Sequence, residues 1–457
     1  MMAINLTNRK ITIIGAKRSG WAAARLVLRL QGYPRFSEQG SLEALPADFK
    51  QWVADHHIPL ECQGHSQAFI AEGDLLVLSP GVRIDSLPVA WARGNRIPVL
   101  GEIEFAAQFC PLPIIAVTGS NGKTTVSTLI KEILEAAGKR VCLCGNIGAT
   151  FSGHVLDLQG KDFVVLEVSS FQLESLIDSK TKEYGDYAYR GFEEIRGFKP
   201  FIAVVLNVSQ NHLDRHKDME EYFAAKKKIF SNQDLKDFAV LNYQDPLLRD
   251  LSSRIKATAA YFAAPGQVSS QGVSNPNHLA VLEVARVLNI PLKICQQVFR
   301  EFKGVEHRLE WVRCINGVDY LNDSKSTTTE ATRWAIRYVH KPMILICGGR
   351  DKHIDFSVLT QELKEGNVKK ILVIGEAREK IRRAFENVVD IEESQSLKEA
   401  VLRAQELAVE GDCVVLSPMC TSFDMFTDFE HRGRIFKEVV CELEDTRTQV
   451  TRTHVRI

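Results

Sequence analysis

The chain has 457 residues, with 57 Lys plus Arg balanced by 57 Asp plus Glu; that is too long for one ordinary core and lacks the basic excess of a nucleic-acid-binding surface. No apolar run approaches the roughly 20 residues of a membrane helix, and the opening MMAINLTNRKITIIG has no signal-peptide core, so a soluble cytoplasmic protein without nucleic-acid or membrane partners is expected. The ten cysteines form no CxxC pair and no zinc spacing, the closest two being Cys142 and Cys144, which fits a reducing compartment.

In chain order, short apolar runs end in Gly or Ser and are followed by amphipathic segments: KITIIGAKRSGWAAARLVLRLQGY, DLLVLSPGV, PIIAVTGSNGKTTVSTLIKEILEAAG, DFVVLEVSS, FIAVVLNVS, KPMILICGG, KKILVIG and DCVVLSPMC. This alternation predicts an α/β fold of parallel sheets covered by helices, with ligand sites at the strand C-terminal ends. Pro111 and Pro113 interrupt one helical pattern, and EFKGVEHRLEWV opens a new block after another. Three domains are expected: residues 1–107, 108–300 and 301–457. Residues 177–197, IDSKTKEYGDYAYRGFEEIRG, read as an inserted surface loop, and the tail EDTRTQVTRTHVRI as a frayed end.

The first block carries GAKRSG, Gly15 to Gly20, which lacks the middle glycine of GxGxxG. A dinucleotide fits poorly there; a nucleotide sugar, another phosphate ligand or a plain structural turn remain. LSPGV, with Ser79, ends a second strand of the same block. The second block carries TGSNGKTT, a strand, a glycine turn and a helix starting near Lys123, which gathers free backbone amides, a helix N-terminus and a lysine around one point. That point suits phosphate, and Thr124 can add a hydroxyl to magnesium, although the strict G-x-x-x-x-G-K-[ST] pattern is not met and a ligand-free Gly/Asn turn is the alternative.

Glu167 ends the apolar run VVLE, where an unpaired carboxylate is costly and a cation is the natural partner. VVLNVSQNHLDRH then delivers Asn207, His212, Asp214 and His216, and Lys226 follows in a lysine trio that composition alone leaves as a solvated face. In the third block Arg308 suits a phosphate, Asp323 suits ribose hydroxyls, Lys352 lies by a Gly-Gly turn, and Ser422 and Phe429 flank a strand end. Each of these alone reads more readily as surface or core; their joint placement at strand ends argues for a site.

With GNIG, LEVSSFQLE, HRLEWV, NDSKST, GGRDK and SFDMFTDFEHRG added, the chain resembles the Mur ligases, ATP-dependent amide-forming enzymes of peptidoglycan precursor synthesis, over nearly its whole length. The resemblance implies a Rossmann-like N-terminal domain, a central P-loop ATPase-like domain and a C-terminal dinucleotide-fold domain. It also implies ligation of D-glutamate to UDP-N-acetylmuramoyl-L-alanine through an acyl phosphate, with ATP and two magnesium ions. By the same resemblance Gly119, Ser120, Asn121, Gly122, Lys123, Thr124, Thr125, Asn277, Arg308 and Asp323 would contact ATP. Thr124, Glu167, His212 and a carbamylated Lys226 would hold the metals, with Lys123, Glu167, His212 and Lys226 as the catalytic set. Ser19, Ser37, Ser79, Pro80, Gly81 and Asn146 would bind the UDP-linked substrate, and Thr327, Lys352, Ser422 and Phe429 the D-glutamate. Val273 and Ser274 stand where the family carries His-Asn. A monomer is expected. Folylpolyglutamate synthase is a second reading, opposed by GAKRSG and SFDMFTDFEHRG. A non-catalytic nucleotide-binding protein is a third, opposed by the joint presence of Lys123, Glu167, His212 and Lys226.

Overall fold

The computed structural model describes residues 4–177, 192, 195–209, 215–266, 275–302, 304–351 and 354–444. It divides into two compact units, residues 1–302 and 303–457.

The first unit holds two parallel sheets. β1 (Lys10–Ile14), β2 (Tyr33–Ser37), β3 (Leu60–Glu61), β4 (Leu75–Leu78) and β5 (Val99–Gly101) form one, in the order β3-β2-β1-β4-β5. The order reverses between β1 and β4, which opens a crevice at their C-terminal ends. The second sheet contains β6 (Ile114–Thr118), β7 (Val141–Gly145), β8 (Phe163–Glu167), β9 (Ile202–Val205), β10 (Phe238–Asn242) and β11 (Thr258–Phe262), in the order β11-β10-β9-β6-β8-β7. Its central strands β6 and β9 are buried along their whole length, as strands covered on both faces require. The helix Lys123–Ala136 buries Val126, Leu129, Ile130, Ile133 and Leu134, the i, i+3, i+4, i+7, i+8 stripe of a helix laid on a sheet. One apolar cluster runs from Ile11 and Phe36 through Phe105 to Leu166, Val205 and Leu241, so both sheets share it.

The second unit is a sheet of β12 (Glu310–Ile315), β13 (Val318–Asn322), β14 (Met343–Gly348), β15 (Val368–Ile374), β16 (Asp390–Glu393) and β17 (Cys413–Leu416), in the order β12-β13-β17-β14-β15-β16. Here the structure departs from the all-parallel expectation, since β12 pairs antiparallel with β13. The cause is local: Asn316 and Gly317 join them with φ of 52° and 80°, the two left-handed residues of a tight Asn-Gly hairpin turn.

Of the segment read as an inserted loop, residues 178–191, 193 and 194 lie outside the described residues. Phe192 departs from a surface reading: it is 2% exposed, within the shared core, with the Arg9 guanidinium 5.2 Å from its ring centre. The tail from residue 445 also lies outside the described residues. Among the described residues no helix is long and apolar enough to cross a membrane.

Candidate active site

In the second sheet β9, β6, β8 and β7 are neighbours and parallel, so the segments leaving their C-terminal ends lie side by side. The loop after β6 turns at Gly122, whose φ of +84° favours glycine. A Cβ there would stand 2.5 Å from Asn277 Oδ1, which places Asn277 against the loop. Asn207, just beyond β9, shapes the loop from the other side. Its Oδ1 accepts from the Asn121 amide at 2.9 Å, its Nδ2 donates to Asn121 O at 3.2 Å, and its carbonyl accepts from the Ser120 amide at 3.0 Å. Ser120 Oγ lies 3.0 Å from the Tyr222 hydroxyl and donates to Ser209 O at 2.9 Å. Lys123 Nζ lies along the loop, donating to Gly119 O at 2.9 Å and Ser120 O at 3.0 Å. Thr124 and Thr125 follow in the first helical turn, Thr124 buried.

Glu167 sits across from Val117 in the β6–β8 register and is 1% exposed. Its Oε1 accepts from Asn146 Nδ2 at 2.9 Å, and Oε2 is buried with no hydrogen-bond partner among the described residues. Such an orphaned carboxylate oxygen is costly unless a cation or a proton meets it. Lys226 is equally buried: its Nζ lies 3.4 Å from Thr118 Oγ1 and 4.6 Å from the Tyr222 ring centre. Burial, with Lys123 adding to it, holds the amine well below the usual lysine range. The structure therefore brings Gly119 to Thr125, Asn146, Glu167, Asn277 and Lys226 around the end of β6. His212 and Asp214 lie outside the described residues. His216 is buried with Nε2 3.1 Å from Ser170 Oγ, and desolvation lowers its pKa.

In the first sheet Ser79 Oγ donates to Gly15 O at 3.0 Å, which ties the loop after β4 to the turn after β1. Ser37 is fully buried, its hydroxyl between Glu61 Oε1 at 2.5 Å and His65 Nδ1 at 2.6 Å. The Ala16 amide donates to Glu38 Oε2 at 2.7 Å. Ser19 is half-buried in the first turn of the helix Arg18–Arg29, Pro80 is half-buried and Gly81 is exposed.

The second unit gathers its candidates at the ends of the adjacent strands β13, β17 and β14. Asp323 is buried, with Oδ2 accepting from Ser417 Oγ at 2.8 Å and Oδ1 from the Leu309 amide at 3.2 Å. Desolvation raises its pKa against the nearby Arg308, whose Nη1 donates to Ser326 Oγ at 2.9 Å. Thr327 is half-buried and Ser422 is 2% exposed; Phe429 opens the last helix with Lys325 Nζ 5.5 Å from its ring centre. Lys352 lies outside the described residues. Glu306, His307 and Glu310 offer ligand atoms within 4.8 Å of one another, but Lys437 Nζ already lies 2.6 Å from Glu306 and 3.0 Å from Glu310.

Sequence reasoning passed over Tyr222 and Arg432. Tyr222 stands one helical turn before Lys226, a spacing that puts both on one face. Arg432 is fully buried, donating to Ser324 Oγ, Ser324 O and Cys420 O; desolvation lowers its pKa to about 10. No sequence pattern marks an arginine as buried.

A glycine loop on a helix N-terminus, beside a buried carboxylate and a buried amine, defines a protein built to handle nucleotide phosphates. Residues 117–277 match the Mur ligase middle domain and residues 307–420 the Mur ligase glutamate ligase domain. The UDP-N-acetylmuramoylalanine–D-glutamate ligase of Thermoanaerobacter sp. (strain X514) is 36% identical, covering 96% of this chain and 100% of that protein. The protein of the same name from Koribacter versatilis (strain Ellin345) is 35% identical, covering 97% and 99%. A solved MurF ligase from Thermotoga maritima, in complex with ADP, shares the fold with a TM-score of 0.54 at 16% identity, covering 96% of this chain and 99% of that one. The chain belongs to the Mur ligase family, on its UDP-N-acetylmuramoylalanine–D-glutamate ligase branch. It is a ligase.

Proposed function

We propose that this enzyme joins D-glutamate to the alanyl carboxylate of UDP-N-acetylmuramoyl-L-alanine in peptidoglycan precursor synthesis, consuming ATP and releasing ADP and phosphate. The observation that carries the reading is the cluster of Lys123, Thr124, Glu167 and Lys226 at the end of β6, in a chain alike from end to end to ligases of that name.

A carboxylate does not react with an amine until one oxygen becomes a leaving group. Transfer of the γ-phosphoryl to that oxygen breaks the bond to ADP and forms an acyl phosphate. The D-glutamate amine then attacks the carbonyl carbon, phosphate departs, and the amine loses its proton as the amide forms. The loop from Gly119 to Thr125, with the helix N-terminus and Lys123, cradles the ATP phosphates and offsets the charge that develops on the transferred group. Thr124 and Glu167, with its orphaned Oε2, are an oxygen donor set that fits magnesium. We assign two ions to Thr124, Glu167, His212 and Lys226; when bound, they supply further neutralisation of phosphoryl charge. The depressed pKa of Lys226 supports a carbamate: a neutral amine adds carbon dioxide, loses a proton and becomes an anionic oxygen donor. Ser19, Ser37, Ser79, Pro80, Gly81 and Asn146 are assigned to the UDP-linked substrate. Asn277, Arg308 and Asp323 are assigned to the nucleotide, and Thr327, Lys352, Ser422 and Phe429 to D-glutamate. Domains at 1–107, 108–300 and 301–457, a monomer and a cytoplasmic setting complete the proposal.

The test is ADP release with magnesium, ATP, UDP-N-acetylmuramoyl-L-alanine and D-glutamate, run beside L-glutamate and a folate acceptor. Release that needs both the sugar nucleotide and D-glutamate, with a product heavier by one glutamyl residue, is expected. Release only with the folate acceptor reassigns the enzyme, and no substrate-dependent ADP defeats the ligase reading.

A further inference from the structure

Arg215 cross-ties the two sheets of the first unit near their ligand ends. Its Nη1 donates to Gly81 O at 2.9 Å and its Nη2 to Val82 O at 2.8 Å, both in the loop after β4. The same guanidinium pairs with Glu174, Nε and Nη2 lying 3.0 and 2.9 Å from Oε2, and both side chains are nearly buried, 11% and 13% exposed. Its face lies over the Phe171 ring, 5.3 Å from the centre. Glu174 and Phe171 belong to the helix Ser170–Glu174, which starts three residues after Glu167. The tie is reciprocal: the Arg215 carbonyl accepts from Arg83 Nη1 at 2.9 Å, and Arg83 is itself held by Asp85.

The loop that Arg215 grips is anchored at its other end to the first turn. Val82 N donates to Ser79 O at 2.9 Å, and Ser79 Oγ donates to Gly15 O at 3.0 Å. A continuous set of hydrogen bonds therefore runs from the turn after β1, through the loop after β4 and Arg215, to the helix behind Glu167. Two forked donations to main-chain carbonyls plus a desolvated carboxylate pair need the planar guanidinium; an ammonium cannot serve all three acceptors in that geometry.

We propose that Arg215 is a positioning residue for the sugar nucleotide. It fixes the loop from Ser79 to Val82 against the helix that follows Glu167, so that a diphosphate bound at the β1–β4 crevice delivers the substrate's carboxylate to the glycine loop. The inference rests on the ligase reading above. It differs from a general tie between sheets, such as the exposed Arg29–Asp157 pair, which also joins the first sheet's helix to the second sheet's flank but touches neither ligand loop.

The experiment measures KM for each substrate and kcat by ADP release in the wild type, Arg215→Ala, Arg215→Lys and the control Arg29→Ala. In Arg215→Ala, KM for UDP-N-acetylmuramoyl-L-alanine is expected to rise about tenfold or more and kcat to fall, while KM for ATP stays within about twofold, since the lost charge-assisted bonds end on Gly81, Val82 and Glu174 and none ends on the glycine loop. Guanidinium ions added at millimolar concentration should restore part of the loss in Arg215→Ala, and Arg29→Ala should match the wild type. Should Arg215→Ala not fold, Arg215→Lys carries the test and must show the same split. Wild-type values in the Arg215 variants, or an equal rise of both KM values, overturn the inference while the ligase reading stands. A wild type without activity defeats that reading instead, and the Arg215 inference with it.

Discussion

Lys226 buries an amine for which no carboxylate partner is found among the described residues: its neighbours are Thr118 Oγ1 and the Tyr222 ring. In water such an amine is an ammonium; inside, desolvation disfavours the charge and the pKa falls. The folded pKa lies below the unfolded one, so the native state loses stability as pH falls from the unfolded lysine range towards the folded value. A structural lysine would gain nothing from that place, whereas an amine kept neutral is ready to take up carbon dioxide. Lys226→Ala is expected to abolish turnover, by a factor of about a thousand or more if a metal ligand is lost, and to regain part of it with acetate or formate in the assay. Near wild-type turnover in the variant, or no response to the added carboxylates, rules out the carbamate role.

Elements were legible where the signal is local. The run from Ile114 to Ala136 carries a continuous apolar strand, a glycine turn and a 3.6-residue stripe, and it folds as strand, loop and helix with the helix starting at Lys123. Glu167, at the end of an apolar run, is buried with one oxygen orphaned. The Asn316-Gly317 hairpin has an equally local signature that a search for βα units passes over. What the sequence does not carry is long-range placement: the strand orders, the burial of Arg432, or the return of Phe192 to the core. Glu104 shows why. It lies on the short helix Glu102–Ala107, and its Oε1 accepts from the amides of Ile177 and Phe198, at 3.1 and 3.0 Å, so one carboxyl ties the first residue of the segment read as an insertion to the residue just after its end. Burial pushes its pKa up to about 8. The folded pKa exceeds the unfolded one, so stability is full below about pH 4.5 and is lost as pH rises towards 8, by an amount of the order of a few kcal/mol. Glu104→Gln keeps the acceptor oxygen and removes the titration. Its melting temperature should match the wild type near pH 5 and exceed it near pH 8.5, read by calorimetry; equal melting temperatures at both pH values would show that Glu104 does not titrate in this range.

Across the whole molecule, the distribution of apolar contacts separates two kinds of boundary. The first and second sheets share one core: Ile11, Phe36, Leu75 and Phe105 lie in the same buried cluster as Ala116, Leu166, Val205 and Leu241. Cutting between residues 107 and 108 would expose that shared apolar surface to water, which costs stability in proportion to the area uncovered. The sheet of the second unit is covered by its own residues on both faces, by Leu345, Ile371, Phe356 and Phe385 on one and by Tyr320, Ile344, Val401 and Phe436 on the other. Its length is that of an ordinary domain. Residues 303–457 expressed alone are therefore expected to give α/β circular dichroism and one cooperative thermal transition. Residues 1–302 should fold as a second body, and residues 1–107 alone should aggregate or bind a hydrophobic dye. A cooperative transition for residues 1–107 would mean that the shared cluster is not needed by the first sheet. An unfolded 303–457 fragment would mean that its core depends on contacts with the rest of the chain.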